Sequence, residues 1–308
     1  MNYKSILNLL GILLGIFSLS FIPPLILTYM YSESGGEVFL YSFLFFSIFG
    51  CAIWAATRQK NLTLNISDGF VITTLFWVVL ACAGSVPFYF FGLSVSDAIF
   101  ESASGITTTG ATTIVGLDNL PKSILLYRQL LQWIGGMGLI VLAVAVMPAL
   151  GIGGGQLYKM ELPGSHGNQK LTPKITDSAK ALWKIYVGLT VACATLYLLS
   201  GMNVFDSIAH SLSTVAGGGF STHDGSIGFF DSALIEAVCI IFMLLSAASF
   251  AVHYAAIFGG KPLKYFYDSE FRFFLSVVLL IIIISLIVHI ISNSYADIFS
   301  AFGSTVFH

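Results

Sequence analysis

Two stretches of this chain bring together residue types that could hold a bare cation. One reads DAIFESASGITTTGATT from Asp97, and the other reads DSIAHSLSTVAGGGFST from Asp206. Set side by side, Asp97 falls on Asp206, Ile99 on Ile208, Ser102 on Ser211, Ser104 on Ser213 and Gly110 on Gly219. An acid opens each unit and a glycine closes it 13 residues later. A dehydrated monovalent cation needs its water shell replaced, and a ring of carbonyl oxygens does this. Glycine reaches backbone angles that turn carbonyls inward. Threonine adds a hydroxyl, and a short helix aimed C-terminus first at a cavity adds about half a negative charge. The spacing predicts short helices over 97–106 and 206–215. Thr107, Thr108, Thr109 and Gly110 follow the first, and Ala216, Gly217, Gly218 and Gly219 end the second unit.

Three acids sit where they could draw cations toward such a mouth: Asp97, Glu101 and Asp206. Asp97 and Asp206 also begin the short helices, so each is a candidate cap as well. His210 and His223 flank the second loop. They are read as structural hydrogen-bonding groups, with a response to pH as the alternative.

The elements that would position these groups follow from composition. The chain has 308 residues, 56% hydrophobic and 9% charged, with net charge −2. A soluble domain carries about 25% charged residues, so most of this surface must face lipid. The charge gives no sign of a nucleic-acid partner. The four cysteines all lie in apolar runs without metal or redox spacing. Seven segments are apolar over a length that crosses a bilayer, about 4–31, 37–58, 68–91, 122–149, 179–201, 231–258 and 271–292. The first continues past any short signal-peptide core and reads as a span.

The fold class is therefore all-α, a polytopic membrane protein of repeated span, pore helix, filter loop, span units. Residues 1–66 form an N-terminal pair of spans, 67–150 a first pore unit, 151–178 a cytoplasmic linker and 179–258 a second pore unit. Residues 259–308 begin a third, where YADIFSAFGSTVF places Asp297 on Asp206 and Ser304 on Ser213. Irregular backbone at membrane depth survives only inside protein or beside a water-filled cavity, which favours a pore over a pair of Gly/Thr-rich extracellular loops. With the N-terminus cytoplasmic, all of the 13 basic residues except Lys122 and Arg128 lie inside.

Other features have plainer readings. Arg128 near the outer start of the fourth segment either shapes the outer pore or snorkels to the interface. Gly135, Gly136 and Gly138, and the Gly11/Gly15 pair, suggest close helix packing. GIGGGQLYK at 151–159 lacks the ending of a phosphate loop and reads as linker. His253 and His289 lie in spans, with no partner legible. No GxSxG or HExxH supports the remote alternative of an intramembrane enzyme.

FESASGITTTGATTIVGLDNLP, RQLLQWIGGMGLIVLAVAVMPALGIGG, AKALWKIYVGLT and STVAGGGFSTHD resemble the first two pore units of the bacterial potassium-uptake family of the TrkH/KtrB type. The resemblance implies four pseudo-repeated units around one permeation path, with one key glycine per filter. Gly110 and Gly219 take those positions, and potassium would sit at Thr108, Thr109, Gly110, Gly217, Gly218 and Gly219. It implies potassium uptake rather than enzymatic activity, with potassium as transported ligand and no cofactor. It also implies a bacterial inner-membrane location, a homodimer, and a cytosolic nucleotide-binding regulatory subunit. The family has four units, and this chain carries two and the start of a third. A non-conducting fragment that needs the third and fourth units is the alternative.

Overall fold

The computed structural model describes residues 1–59, 66–150, 175–261, 263–292 and 305. Among them every regular element is helical. Among the described residues five helical stretches, the first running over Tyr3–Tyr31, are long and apolar enough to cross a membrane by length and composition. Residues 151–174 of the linker, with the GIGGGQLYK stretch, and Lys60 and Asp297 lie outside the described residues, and 175–178 of the expected linker already belong to a helix.

Helix α1 (Tyr3–Ser18) runs through one 3-10 turn at Leu19–Phe21 into α2 (Ile22–Tyr31). Pro23 and Pro24 cause no break, because they fall in the first turn of α2, where backbone N–H groups have no helical partner. Helix α3 (Glu37–Thr57) packs along α1. The contact is close because glycines meet: a β-carbon added at Gly11 would stand 2.9 Å from the Gly50 carbonyl oxygen, and one at Gly50 would stand 2.8 Å from the Gly15 nitrogen. Asn8 adds a polar tie, donating to the Trp54 carbonyl at 3.2 Å. Both follow the rule that small residues and buried hydrogen bonds join membrane helices.

Helix α4 (Ile66–Phe90) leads to the short helix α5 (Val95–Ile106), then to the long α6 (Lys122–Leu150). The second unit repeats this order: α7 (Ile175–Leu199), the short α8 (Val204–Ala216) and α9 (Ala233–Ala247). Helices α10 (Phe250–Ile257), α11 (Lys264–Tyr267) and α12 (Ser269–Ser292) follow.

One expected span is corrected. Segment 231–258 is two helices, because Ala248 and Ser249 are extended, with ψ 142 at each. The composition stays apolar across the break, so hydropathy does not reveal it. At the break the Leu245 carbonyl accepts from the Ala248 backbone N–H at 3.1 Å and also meets the His253 ring at 2.9 Å.

The two larger apolar clusters among the described residues hold most of the helices. One gathers Phe21, Phe39, Ile72, Phe88, Ile106, Tyr127 and Leu131. The other gathers Met137, Leu182, Tyr186, Tyr197, Val215 and Phe242. Helix α6 contributes to both, so it is the spine between the two units. Its first turn is capped by Glu33, which accepts from the Lys122 and Ser123 backbone at 2.7 and 3.1 Å.

Candidate pore-loop site

Each short helix begins with a side-chain cap. Ser94 accepts from the Asp97 backbone at 3.2 Å and Asn203 from the Asp206 backbone at 2.9 Å. In return each acid accepts from its cap, Asp97 from Ser94 and Asp206 from Asn203, both at 2.6 Å. The caps are thus Ser94 and Asn203, one turn before the acids proposed for that role. Asp97 and Asp206 stand at the third helical position and bond back to the side chain of the cap rather than to its backbone N–H.

The two helices also end alike. Thr108 donates its backbone N–H to Gly105 at 3.0 Å and Gly217 to Thr214 at 3.1 Å. Thr109 donates to Ser104 and Gly218 to Ser213, each at 2.9 Å. Positive φ then falls on matching positions: 55° at Thr108 and 66° at Gly217, 78° at Gly110 and 82° at Gly219. Three of the four are glycine, which adopts this region without steric cost. Thr108 bears the conformation with a side chain. Its neighbours are tied beside it, the Thr107 and Thr109 hydroxyls lying 2.8 Å apart.

The loops meet each other. A β-carbon on Gly110 would overlap the carbonyl oxygen of Gly218. Thr107, Thr109, Gly217 and Gly219 are exposed on the side left uncovered by protein. Behind Gly217, Gly218 and Gly219 lies a cavity lined by His210, Ser213 and Thr214.

Helix α6 supports both loops from one face, on which Arg128, Gln132, Gly135 and Gly136 recur at helical spacing. Gln132 accepts from the Phe220 backbone N–H at 3.0 Å. A β-carbon at Gly135 would overlap the Ile106 carbonyl at the end of α5. One at Gly136 would stand 3.2 Å from Ala216 at the end of α8. The packing expected of Gly135 and Gly136 is therefore aimed at the ends of the two short helices. Gly138 meets Trp77 instead.

Arg128 does not snorkel. It is 0% exposed, and its Nε donates to Glu101 at 2.7 Å. Glu101, also 0% exposed, accepts from the Thr112 hydroxyl at 2.9 Å. Glu101, expected to draw cations to the mouth, is thus paired with a buried guanidinium. Asp206 is likewise buried, accepting from Thr222 at 2.7 Å, and is no open carboxylate at the mouth. Asp97 remains partly exposed.

An outer collar closes the site. The His223 ring lies 2.5 Å from Asp118 and 3.2 Å from Asp206, joining the first unit's outer loop to the second short helix. Asp224 accepts from Gly116 and Leu117 at 3.0 and 3.1 Å. His210 lies between the Asp206 backbone carbonyl and the Ser221 hydroxyl, each 3.0 Å from a ring nitrogen. The collar holds the Asp118 carboxyl below its ordinary range, chiefly through the hydrogen bond with His223.

Sequence reading missed the pairing of Arg128 with Glu101 and the role of Gln132. The available signal was an arginine placed in an apolar span, which needs a buried partner.

Helices long and apolar enough to cross a membrane, with paired short helices and matched glycine turns, define a multi-pass membrane protein. The TrkH family profile, described as a cation transport protein, matches residues 35–307. The chain belongs to the TrkH family. It is 46% identical over its whole length to the Trk system potassium uptake protein TrkH of Vibrio parahaemolyticus, and spans 64% of that protein. It is 50% identical over 89% of its length to TrkH of Halomonas elongata, spanning 57% of it. With TrkH of Escherichia coli K12 the identity is 45% over 96% of this chain and 62% of the relative. The crystal structure of the potassium transporter TrkH from Vibrio parahaemolyticus matches with a TM-score of 0.87 at 44% identity, covering 100% of this chain and 63% of that one. The chain thus spans less than two thirds of the length of these relatives.

Proposed function

We propose that this chain supplies two quadrants of a potassium-uptake pathway, with backbone carbonyls of Thr107 to Gly110 and Ala216 to Gly219 replacing the ion's water. The observation that carries the reading is the matched placing of left-handed residues at 108 and 110, and at 217 and 219. Alternating backbone hand turns successive carbonyls to one side, whereas a regular strand alternates them. The ends of α5 and α8 aim partial negative charge toward the same loops. Potassium is the substrate, held at Thr108, Thr109, Gly110, Gly217, Gly218 and Gly219, and Asp97 draws cations to the mouth. The names of the relatives support potassium over other cations.

Residues 1–66, 67–150, 151–178, 179–258 and 259–308 serve as span pair, first unit, linker, second unit and start of a third. Two quadrants surround an ion on one side, and the additional length of the relatives is where this reading places the rest of the ring. The uncovered sides of Thr107, Thr109, Gly217 and Gly219 favour that arrangement. The protein sits in the bacterial inner membrane with its N-terminus cytoplasmic, pairs as a homodimer, and is gated by a cytosolic nucleotide-binding subunit. These partners follow from the family resemblance and from relatives named as parts of a Trk system.

The test is growth of potassium-uptake-deficient cells at low potassium. This chain is expressed alone and joined to the C-terminal part of the Vibrio parahaemolyticus relative. Rescue by the joined form alone supports two quadrants of a larger ring. Rescue by the chain alone would show that it conducts unaided. Growth with neither form would remove the potassium assignment.

A further inference from the structure

We propose that Arg128 is a positioning residue for the ion pathway: its guanidinium fixes the spacing between the outer ends of the two filter loops. The inference rests on the filter reading above and adds what holds that filter in register.

Arg128 touches both units at equivalent places. Its Nη2 donates to the Thr112 hydroxyl at 3.1 Å and its Nη1 to the Ser221 carbonyl at 3.0 Å. Thr112 lies two residues beyond Gly110, and Ser221 two residues beyond Gly219. The guanidinium carbon stands 4.3 Å over the Phe220 ring. Each unit also has its own strut at matching positions. Glu101 in α5 holds Thr112, and His210 in α8 meets the Ser221 hydroxyl at 3.0 Å. Arg128 joins one strut to the other, and Glu101 fixes the guanidinium in the plane that reaches both.

A buried ion pair is a weak source of stability, since apolar replacements are often neutral. The geometry here serves placement instead. The guanidinium presents donors in a rigid fork, whereas a lysine is a point charge on a flexible stem. Lysine at this position retains a partner for Glu101 but cannot hold Thr112 and the Ser221 carbonyl at fixed separation. Ion preference depends on the number and arrangement of coordinating carbonyls, so a change in rim spacing is read at the filter.

The experiment places Arg128→Lys, and the doubly neutral Arg128→Gln/Glu101→Gln, in this chain joined to the C-terminal part of the Vibrio parahaemolyticus relative. Membrane yield and uptake of potassium against competing sodium are measured, with Gly110→Ser as the filter control. Arg128→Lys is expected to keep its yield and to lose potassium preference by a factor on the order of ten, what about one lost hydrogen bond to a charged group is worth. The double variant leaves no unpaired buried charge, so it inserts but shows the same loss. If Arg128→Lys fails to insert, the double variant decides. Wild-type preference in the variant that inserts, with preference lost in Gly110→Ser, overturns the proposal and leaves the filter reading standing. Unchanged preference in Gly110→Ser would remove the filter reading and this inference with it.

Discussion

Gly110 of the first loop sits against the carbonyl of Gly218 in the second, with no room for a β-carbon between them. The residues are far apart in sequence and come from separate units, so their contact sets how the two loops face one another. Glycine is required here twice, by the approach of that oxygen and by a φ of 78°.

The two key glycines should therefore respond differently. Gly219 has φ 82° but open space around it. Gly219→Ala should cost only the left-handed conformation, about 1–2 kcal/mol. Gly110→Ala adds overpacking against backbone, about 1–3 kcal/mol more. Thermal unfolding in detergent checks the order, and equal losses would contradict the described approach of the loops.

Gln132 offers a test independent of ion flow. Its side chain accepts from the buried Phe220 N–H. Gln132→Leu keeps the volume and leaves that donor unpaired, at a cost of about 1–3 kcal/mol. The expected result is a lower melting temperature together with faster amide exchange at Phe220. Unchanged exchange there would show that the N–H has another partner.

The Gly11/Gly15 pair should split. Nothing stands within 4 Å of a β-carbon at Gly15, whereas one at Gly11 would meet the Gly50 carbonyl and the Trp54 nitrogen, each at 2.9 Å. Gly15→Ala should be neutral or stabilising by up to about 1 kcal/mol, as for glycine in a helix interior. Gly11→Ala should push α1 from α3 and lower the yield of folded protein. Measuring both by thermal unfolding separates packing at Gly11 from a general effect of the motif.

The collar at His223 predicts a pH dependence. The hydrogen bond to His223 lowers the Asp118 pKa below its ordinary 3.8. A carboxyl with a depressed folded pKa stabilises above its unfolded value, and the contribution disappears as pH falls through the folded value. Asp118→Asn should therefore unfold at a lower temperature than the wild type at pH about 7 and about 5, with the difference closing below about 4. A difference that persisted in strong acid would assign the effect to something other than the charge.

The break at Ala248 and Ser249 marks one limit of reading the sequence. Residues 231–258 are apolar throughout, and composition reports burial without reporting the backbone path. The site shows the same division. The repeat located Gly110 and Gly219, because a left-handed turn after a short helix imposes glycine locally. It also placed Glu101 and Asp206 near the mouth. Their hydrogen-bond partners then removed them as open charges.

The sequence by itself determined the apolar crossings, the two short helices and the matched glycine turns, since each follows from residues within one or two turns of each other. Tertiary structure alone decided that Arg128 pairs with Glu101 and that Gln132 holds Phe220. Arg128 and the Ser221 carbonyl are 93 residues apart. Such a contact depends on how α6 lies between the two units, and no local period in the chain encodes that.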